Sequence, residues 1–212
     1  MNSGLLIVGA GGHGRVIADI ALQSGDWSQV AFLDKDGDLP SEILGIPVLK
    51  AIEDLAHLRI KYPHAAVAVG QCSRRMRLID ESSALGFQLP VIRHPSAVVS
   101  RYANIGPGSQ ILAMSVVNAG ARIGAGCIIN TAATVDHDCD LGDCVHLSPG
   151  VHLAGGVRIA SCSWIGIGAS VRENCRIGRE VTVGAGAAVV SDVDDGLTVA
   201  GVPARQLTRS QE

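Results

Sequence analysis

Aliphatic residues recur at every sixth position through the C-terminal half of the chain. The series runs from Val99 through Ile105, Ile111, Val117, Ile123, Ile129, Val135 and Leu141 to Leu147. It continues through Leu153, Ile159, Ile165, Val171, Ile177 and Val183 to Val189, and all sixteen positions are Val, Ile or Leu. A helix needs apolar recurrence near 3.6 residues and a simple strand near 2, so neither accounts for it. A sustained period of six is that of a parallel β-helix, in which each hexad supplies one short strand and one turn. The aliphatic side chains then point inward and stack coil on coil. Glycine follows at Ile105-Gly106, Ile123-Gly124, Leu141-Gly142, Ile165-Gly166, Ile177-Gly178 and Val183-Gly184, where a small residue allows a tight corner. With three hexads to a coil, residues 97–191 make about five coils with no inserted loop.

The first ninety-odd residues follow another pattern. Leu5-Leu6-Ile7-Val8 is a continuous apolar run of the buried-strand type. Gly9-Ala10-Gly11-Gly12-His13-Gly14 follows it, and Val16, Ile17, Ile20 and Ala21 then recur with helical spacing. This is G-x-G-x-x-G in its strand–loop–helix setting. A second strand, Val30–Leu33, ends at Asp34, about twenty residues past the last glycine, where a ribose-binding acid belongs in a dinucleotide fold. A helix near 51–61, a strand at 67–70, a helix near 73–85 and a short strand at 91–92 complete an alternating order, with a parallel sheet of about four strands. A full two-halved dinucleotide fold needs more chain, so one mononucleotide-binding half is expected. Gly9, Gly11, Gly12 and Gly14 let a phosphate approach backbone N–H groups at a helix N-terminus. His13 either touches that phosphate or its sugar, or only hydrogen-bonds at the helix start. A nucleotide sugar is favoured over NAD. The expected organisation is a Rossmann-like half domain over 1–95 and a β-helix over 96–212 with a C-terminal extension.

Composition restricts the partners. The six aromatic residues are too few for a core of packed rings, so Val, Ile, Leu and Ala must fill it. The formal net charge is −3, and neither part carries the basic footprint of a nucleic-acid binder. All three lysines (Lys35, Lys50, Lys61) lie in the first third, leaving no polybasic run for a membrane surface. The opening Met1-Asn2-Ser3-Gly4 has no basic n-region and no apolar run is long enough to span a bilayer, so a cytoplasmic location is expected. The cysteines (Cys72, Cys127, Cys139, Cys144, Cys162, Cys175) show no metal spacing and are expected to be buried free thiols.

A small β/α domain opening with Gly-Ala-Gly-Gly-His-Gly, joined to hexapeptide repeats and closed by Gly201-Val202-Pro203-Ala204, resembles the bacterial sugar acetyltransferases. The resemblance is to the group holding the UDP-4-amino-sugar N-acetyltransferases and the sialic acid O-acetyltransferases, and it spans nearly the whole chain. It implies a left-handed β-helix, a homotrimer with active sites between subunits, and acetyl-CoA as co-substrate with no metal. His137, within Asp136-His137-Asp138-Cys139, matches the family's catalytic histidine; Asp138 stands where Glu is common and is one methylene shorter. Asn130 and His146 match positions lining the acetyl and acceptor pocket. Gly155 matches a glycine whose N–H faces the thioester oxygen. His13, the glycine loop, Asp34 and Gly70 match positions around the nucleotide, and Ile167, Ala185 and Pro203 match positions that contact CoA.

The repeat arithmetic supports part of this independently. Residues 137 and 155 are one 18-residue coil apart, so Gly155 is expected about 4.8 Å from His137 on the adjacent rung, leaving room for an acyl group. His146 and Trp164 form a second outward stack, with His152 in the same hexad phase on another face. With the resemblance, the expected chemistry is that His137 deprotonates a sugar amine as it attacks acetyl-CoA directly, with Asp138 fixing the imidazole tautomer and the Gly155 N–H meeting the oxyanion. A Cys139 nucleophile is the covalent alternative. Arg158, Arg172, Arg176, Arg179 and Arg205 are either CoA-phosphate ligands or a solvated face. The competing functions are O-acetylation of sialic acid or another glycan, a zinc carbonic anhydrase using His137, His146 and His152, and a non-enzymatic nucleotide-sugar-binding scaffold.

Overall fold

The computed structural model describes residues 3–35, 38–50 and 55–207. The first two residues of the chain, residues 51–54 of the helix expected near 51–61 and the end of the C-terminal extension lie outside them. The chain divides into two compact units, residues 1–95 and 96–212.

In the first unit the apolar run Leu5–Val8 lies in the central strand β1 (Ser3–Val8), parallel to β2 (Trp27–Leu33) on one side and to β5 (His64–Val67) on the other. Leu5, Leu6 and Ile7 are fully buried because both sheet faces are covered, the condition that produces an unbroken apolar run instead of an alternating one. The helices are α1 (Gly12–Ser24), α2 (Leu55–Lys61) and α3 (Cys72–Ala84). α1 buries Ile17, Ala18, Ile20 and Ala21 and ends at Gly25 in the left-handed region. A Cβ on Gly14 would overlap the carbonyl oxygen of Gly9, so this glycine permits helix and strand to approach.

The sheet has five strands in the order β3-β4-β2-β1-β5, not four. The additional pair is an antiparallel hairpin, β3 (Glu42–Ile43) and β4 (Ile46–Leu49), which turns at Leu44-Gly45 with φ of 55° and 74°. Asn-Gly announces such a turn, and Leu in its first position carries no signal. The strand expected at 67–70 ends at Val67, so Ala68–Gly70 form the loop leaving the sheet. The strand at the end of this unit, β6 (Ile92–Arg93), is not part of this sheet.

The second unit is a left-handed parallel β-helix of sixteen two-residue strands, from Val98–Val99 to Ala188–Val189, arranged as three faces. Each strand pairs with the one eighteen residues on, as in Thr134↔His152, Asp140↔Arg158 and His146↔Trp164. We number the faces by these residues: face one carries Thr134 and His152, face two Asp140 and Arg158, and face three His146 and Trp164. The hexad aliphatics from Ile111 to Val189 are at most 4% exposed, and Val99 and Ile105 in the first coil are partly exposed. After Val189 the coil shortens, and Thr182 pairs with Thr198.

Two further periods of six accompany the aliphatic one. Two residues before each aliphatic lies a small inward residue, as at Ala121, Cys127, Ala133, Cys139, Val145 and Val151, all fully or almost fully buried. Every sixth residue from Gly108 to Gly186 also has positive φ, and seven of them are not glycine: Met114, Ala132, Asp138, Cys144, Cys162, Asn174 and Glu180. These two phases account for five cysteines, with Cys127, Cys139 and Cys175 in the small inward column and Cys144 and Cys162 at the left-handed corners. No disulfide joins the six cysteines, and Cys72 and Cys162 are half-buried where full burial was expected. Among the described residues no helix is long and apolar enough to cross a membrane.

Candidate active site

His137 lies on the corner between the face-one strand Thr134–Val135 and the face-two strand Asp140–Leu141. The hexad phase puts Asp138 in the left-handed region, φ 58°, and from there its carboxylate folds back onto the preceding ring. Asp138 Oδ2 lies 2.9 Å from His137 Nδ1. An ionised carboxylate only accepts, so Nδ1 carries the proton and the neutral ring presents a lone pair at Nε2. The His137 backbone N–H donates to Asp136 Oδ1 at 2.7 Å, and Asn118 on the preceding coil donates to the same oxygen at 2.9 Å. The bond to Asp138 and the nearby Asp136 charge raise the His137 pKa above its usual value. The donors Asn118 and His137 N–H hold Asp136 below the usual carboxylate range.

Gly155 lies where the coil length puts it. A Cβ there would meet His137 Cε1 and Nε2 at 2.6 Å each, so the space before the proton-accepting edge exists because this residue has no side chain. The Gly155 carbonyl accepts the Asn174 N–H at 3.0 Å, and among the described residues its own N–H has no partner. The ring edge that carries the lone pair therefore faces a residue whose N–H is unused among the described residues. Cys139, two residues on, turns inward, and burial pushes its thiol up to about 11, where it is a poor nucleophile.

Asn130 and His146 belong to a different part of the coil. His146 projects from face three, opposite the His137 corner, with Asn130 Nδ2 3.3 Å from its Nε2. Its ring stacks on Trp164 at 6.0 Å and 18°, and the indole N–H donates to Ser148 Oγ at 2.7 Å. Ile167 and Ala185 sit one coil apart on the next corner, and among the described residues their N–H groups have no partner. Pro203 follows the strand Thr198–Ala200. His152 projects from face one, with Nδ1 2.9 Å from Thr134 Oγ1. Within one chain the site residues of the β-helix thus fall into two groups, His137 with Asp138 and Gly155 at one corner, Asn130 and His146 on the opposite face with Ile167 and Ala185 beyond. Among the described residues no three His, Cys, Asp or Glu side chains are placed to share a metal ion.

In the first unit the glycine loop leaves β1 and enters α1 at Gly11, which no side chain caps. His13 is the second residue of α1 and is half-buried. Asp34, at the end of β2, accepts the Ala10 N–H on Oδ2 at 2.9 Å, so the acid expected to meet ribose also shapes the loop. A cavity of about 520 Å³ opens beside Gly9, Asp34 and Val69, with Lys35 and Arg74 on its wall. Gly70 begins the turn into α3. One residue here gave no sequence signal: Arg75 is fully buried and donates to the Val69 and Gly70 carbonyls at 2.8 and 2.7 Å. An arginine on a helix reads as solvated until the loop carbonyls it holds are seen. Asn118 was missed for a similar reason, since its link to Asp136 crosses a full coil.

The family described as the PglD N-terminal domain matches residues 4–82. A GDP-perosamine N-acetyltransferase of Escherichia coli is 32% identical over 96% of this chain and 96% of its own length. The acetyltransferase domain of PglB from Neisseria gonorrhoeae superposes with a TM-score of 0.92 at 45% identity, over 97% of this chain and all of that one. The same domain has also been solved in complex with acetyl coenzyme A. A histidine-to-alanine variant of GDP-perosamine N-acetyltransferase from Caulobacter crescentus, in complex with CoA and GDP-perosamine, gives 0.91 at 38% identity over 97% of each chain.

Proposed function

Because the chain belongs to the family of hexapeptide-repeat sugar acetyltransferases with a PglD-type N-terminal domain, we propose that it transfers acetyl from acetyl-CoA to the amino group of a nucleotide-linked sugar, with His137 as the base. The protein is an acetyl-CoA-dependent acyltransferase. The observation that carries the proposed chemistry is the corner at His137: an imidazole held by Asp138 at Nδ1, its Nε2 over the side-chain-free Gly155.

In this mechanism the sugar amine approaches the thioester carbonyl in the space above Gly155. Nε2 takes the amine proton as the C–N bond forms, and Asp138 stabilises the imidazolium. Base assistance of this type contributes about 10²–10⁴-fold. The unused Gly155 N–H is the donor available to the carbonyl oxygen as charge develops there. The thiolate of CoA leaves and recovers a proton from the imidazolium, so no acetyl-enzyme forms. The free N–H groups of Ile167 and Ala185, one coil apart, suit the amide carbonyls of the pantetheine arm.

The separation of His137 from Asn130 and His146 within one chain favours a site completed by a second copy, consistent with a homotrimer in which a corner of one subunit faces face three of its neighbour. The nucleotide belongs to the first unit, at the loop Gly9–Gly14 with Asp34 and Gly70. GDP-perosamine as the ligand of the Caulobacter relative supports a nucleotide-linked amino sugar as acceptor.

The test follows CoA release against UDP-, GDP- and dTDP-linked 4-amino sugars, with free sialic acid included. Turnover with one nucleotide amino sugar, lost by about 10²-fold or more in His137→Ala at unchanged acetyl-CoA affinity, is the expected result. Turnover with sialic acid alone makes the reaction an O-acetylation, and full turnover in His137→Ala removes this base.

A further inference from the structure

Left-handed backbone recurs at every sixth residue of the β-helix, and half of those corners hold a residue other than glycine. Ala132 at φ 56° and Cys144 at 55° show that this turn itself accepts a side chain. Gly120, at φ 77°, occupies the same phase one coil before Asp138. An added Cβ at Gly120 would overlap Asp138 Oδ1, while the other carboxylate oxygen of Asp138 bonds His137 Nδ1. The carboxylate is therefore held between the imidazole and a bare backbone. The arrangement recurs two coils on, with a Cβ on Gly156 meeting Asn174 Oδ1 at 2.5 Å.

Resting on the reading of His137 as the base, we propose that Gly120 is a positioning residue for the reaction, its missing side chain being the space in which the Asp138 carboxylate lies while it orients His137. A methyl group there leaves the corner backbone in a conformation that this chain already tolerates with Ala132. It drives the carboxylate, the end of an exposed and rotatable side chain, away from Nδ1. The ring then loses its preferred tautomer and its orientation towards Gly155. The charged groups around this ring are Asp136 and Asp138, with Arg122 close to Asp138 and bonded to Asp140.

The experiment compares Gly120→Ala with Gly196→Ala, a left-handed glycine (φ 70°) with no atom near its added Cβ. Both place an alanine in the left-handed region, and only the first touches Asp138. Gly120→Ala is expected to lower kcat by about tenfold or more with both KM values within about twofold, and to move the acid limb of the pH–rate profile downward. Gly196→Ala is expected to behave as the parent. In an Asp138→Ala background, Gly120→Ala should produce no further loss, because the group it displaces is gone. An equal loss in that background, or in Gly196→Ala, makes the effect one of folding and overturns the proposal. Parent-like kcat and pH profile in Gly120→Ala, with His137→Ala and Asp138→Ala impaired, overturns it while leaving His137 as the base. An active His137→Ala instead removes the underlying reading.

Discussion

Replacing Gly155 by Ala separates the base from the oxyanion donor more cleanly than replacing the histidine. The new Cβ would sit 2.6 Å from His137 Cε1 and Nε2 and 3.3 Å from Cδ2. Carbon contacts relax to about 3.5–4.0 Å, so the ring must retreat by about 1 Å. A displacement of that size at a reacting group costs about 10²-fold, or about 2.7 kcal/mol of barrier. The fold should hardly register the change. Gly155 is not in the left-handed region, so alanine there gains roughly 0.4–1 kcal/mol through the unfolded chain. Pushing the ring off its rotamer returns about 0.5–1.5 kcal/mol, and the two nearly cancel. Steady-state CoA release should therefore show kcat down about a hundredfold, KM for acetyl-CoA nearly unchanged and Tm within about 4 °C. The Gly155 N–H is retained, so the loss belongs to the displaced imidazole. Parent-like kcat would refute the placement of the reaction at this corner. A rise in the acetyl-CoA KM by the same factor would show that the alanine blocks binding instead.

Three other outcomes follow from the same geometry. Asp138→Asn removes the bond that raises the His137 pKa; the base acts when neutral, above that pKa, so the acid limb of kcat/KM should shift to lower pH. Its plateau should also fall, because an amide can donate to Nδ1 and hold the wrong tautomer; an unmoved limb would mean that Asp136 alone sets the pKa. Cys139→Ala should keep turnover within about threefold and alkylation of Cys139 at neutral pH should be slow, since the thiol is buried with a pKa near 11; loss of activity at intact fold would revive the covalent route. Gly14→Ala forces a Cβ against the Gly9 carbonyl and should cost about 1–3 kcal/mol of stability by overpacking, measured as a lowered denaturation midpoint; an unchanged midpoint would show that α1 can withdraw from β1.

The chain's periodicity alone determined the β-helix, because an aliphatic at every sixth position is a local pattern that no helix or flat sheet can bury. The coil length followed from it, and with it the stacking of His146 on Trp164 and of His137 over Gly155, since residues eighteen apart must be ladder neighbours. The glycine loop and the acid twenty residues beyond it were equally legible, being motifs of backbone conformation. Other features had no letter to announce them. The left-handed corners recur as strictly as the aliphatics, but Met114, Asp138 and Glu180 hold them as well as glycine does, so that period is visible only in the backbone. The hairpin at Leu44-Gly45 was hidden for the same reason. Arg75 and Asn118 look like surface residues in one dimension, and only the fold brings the carbonyls of Val69 and Gly70 to the first and Asp136 to the second. Which catalytic candidates share a corner was likewise decided in three dimensions: the hexad fixes a residue's phase, and its place around the triangular coil determines what it can reach.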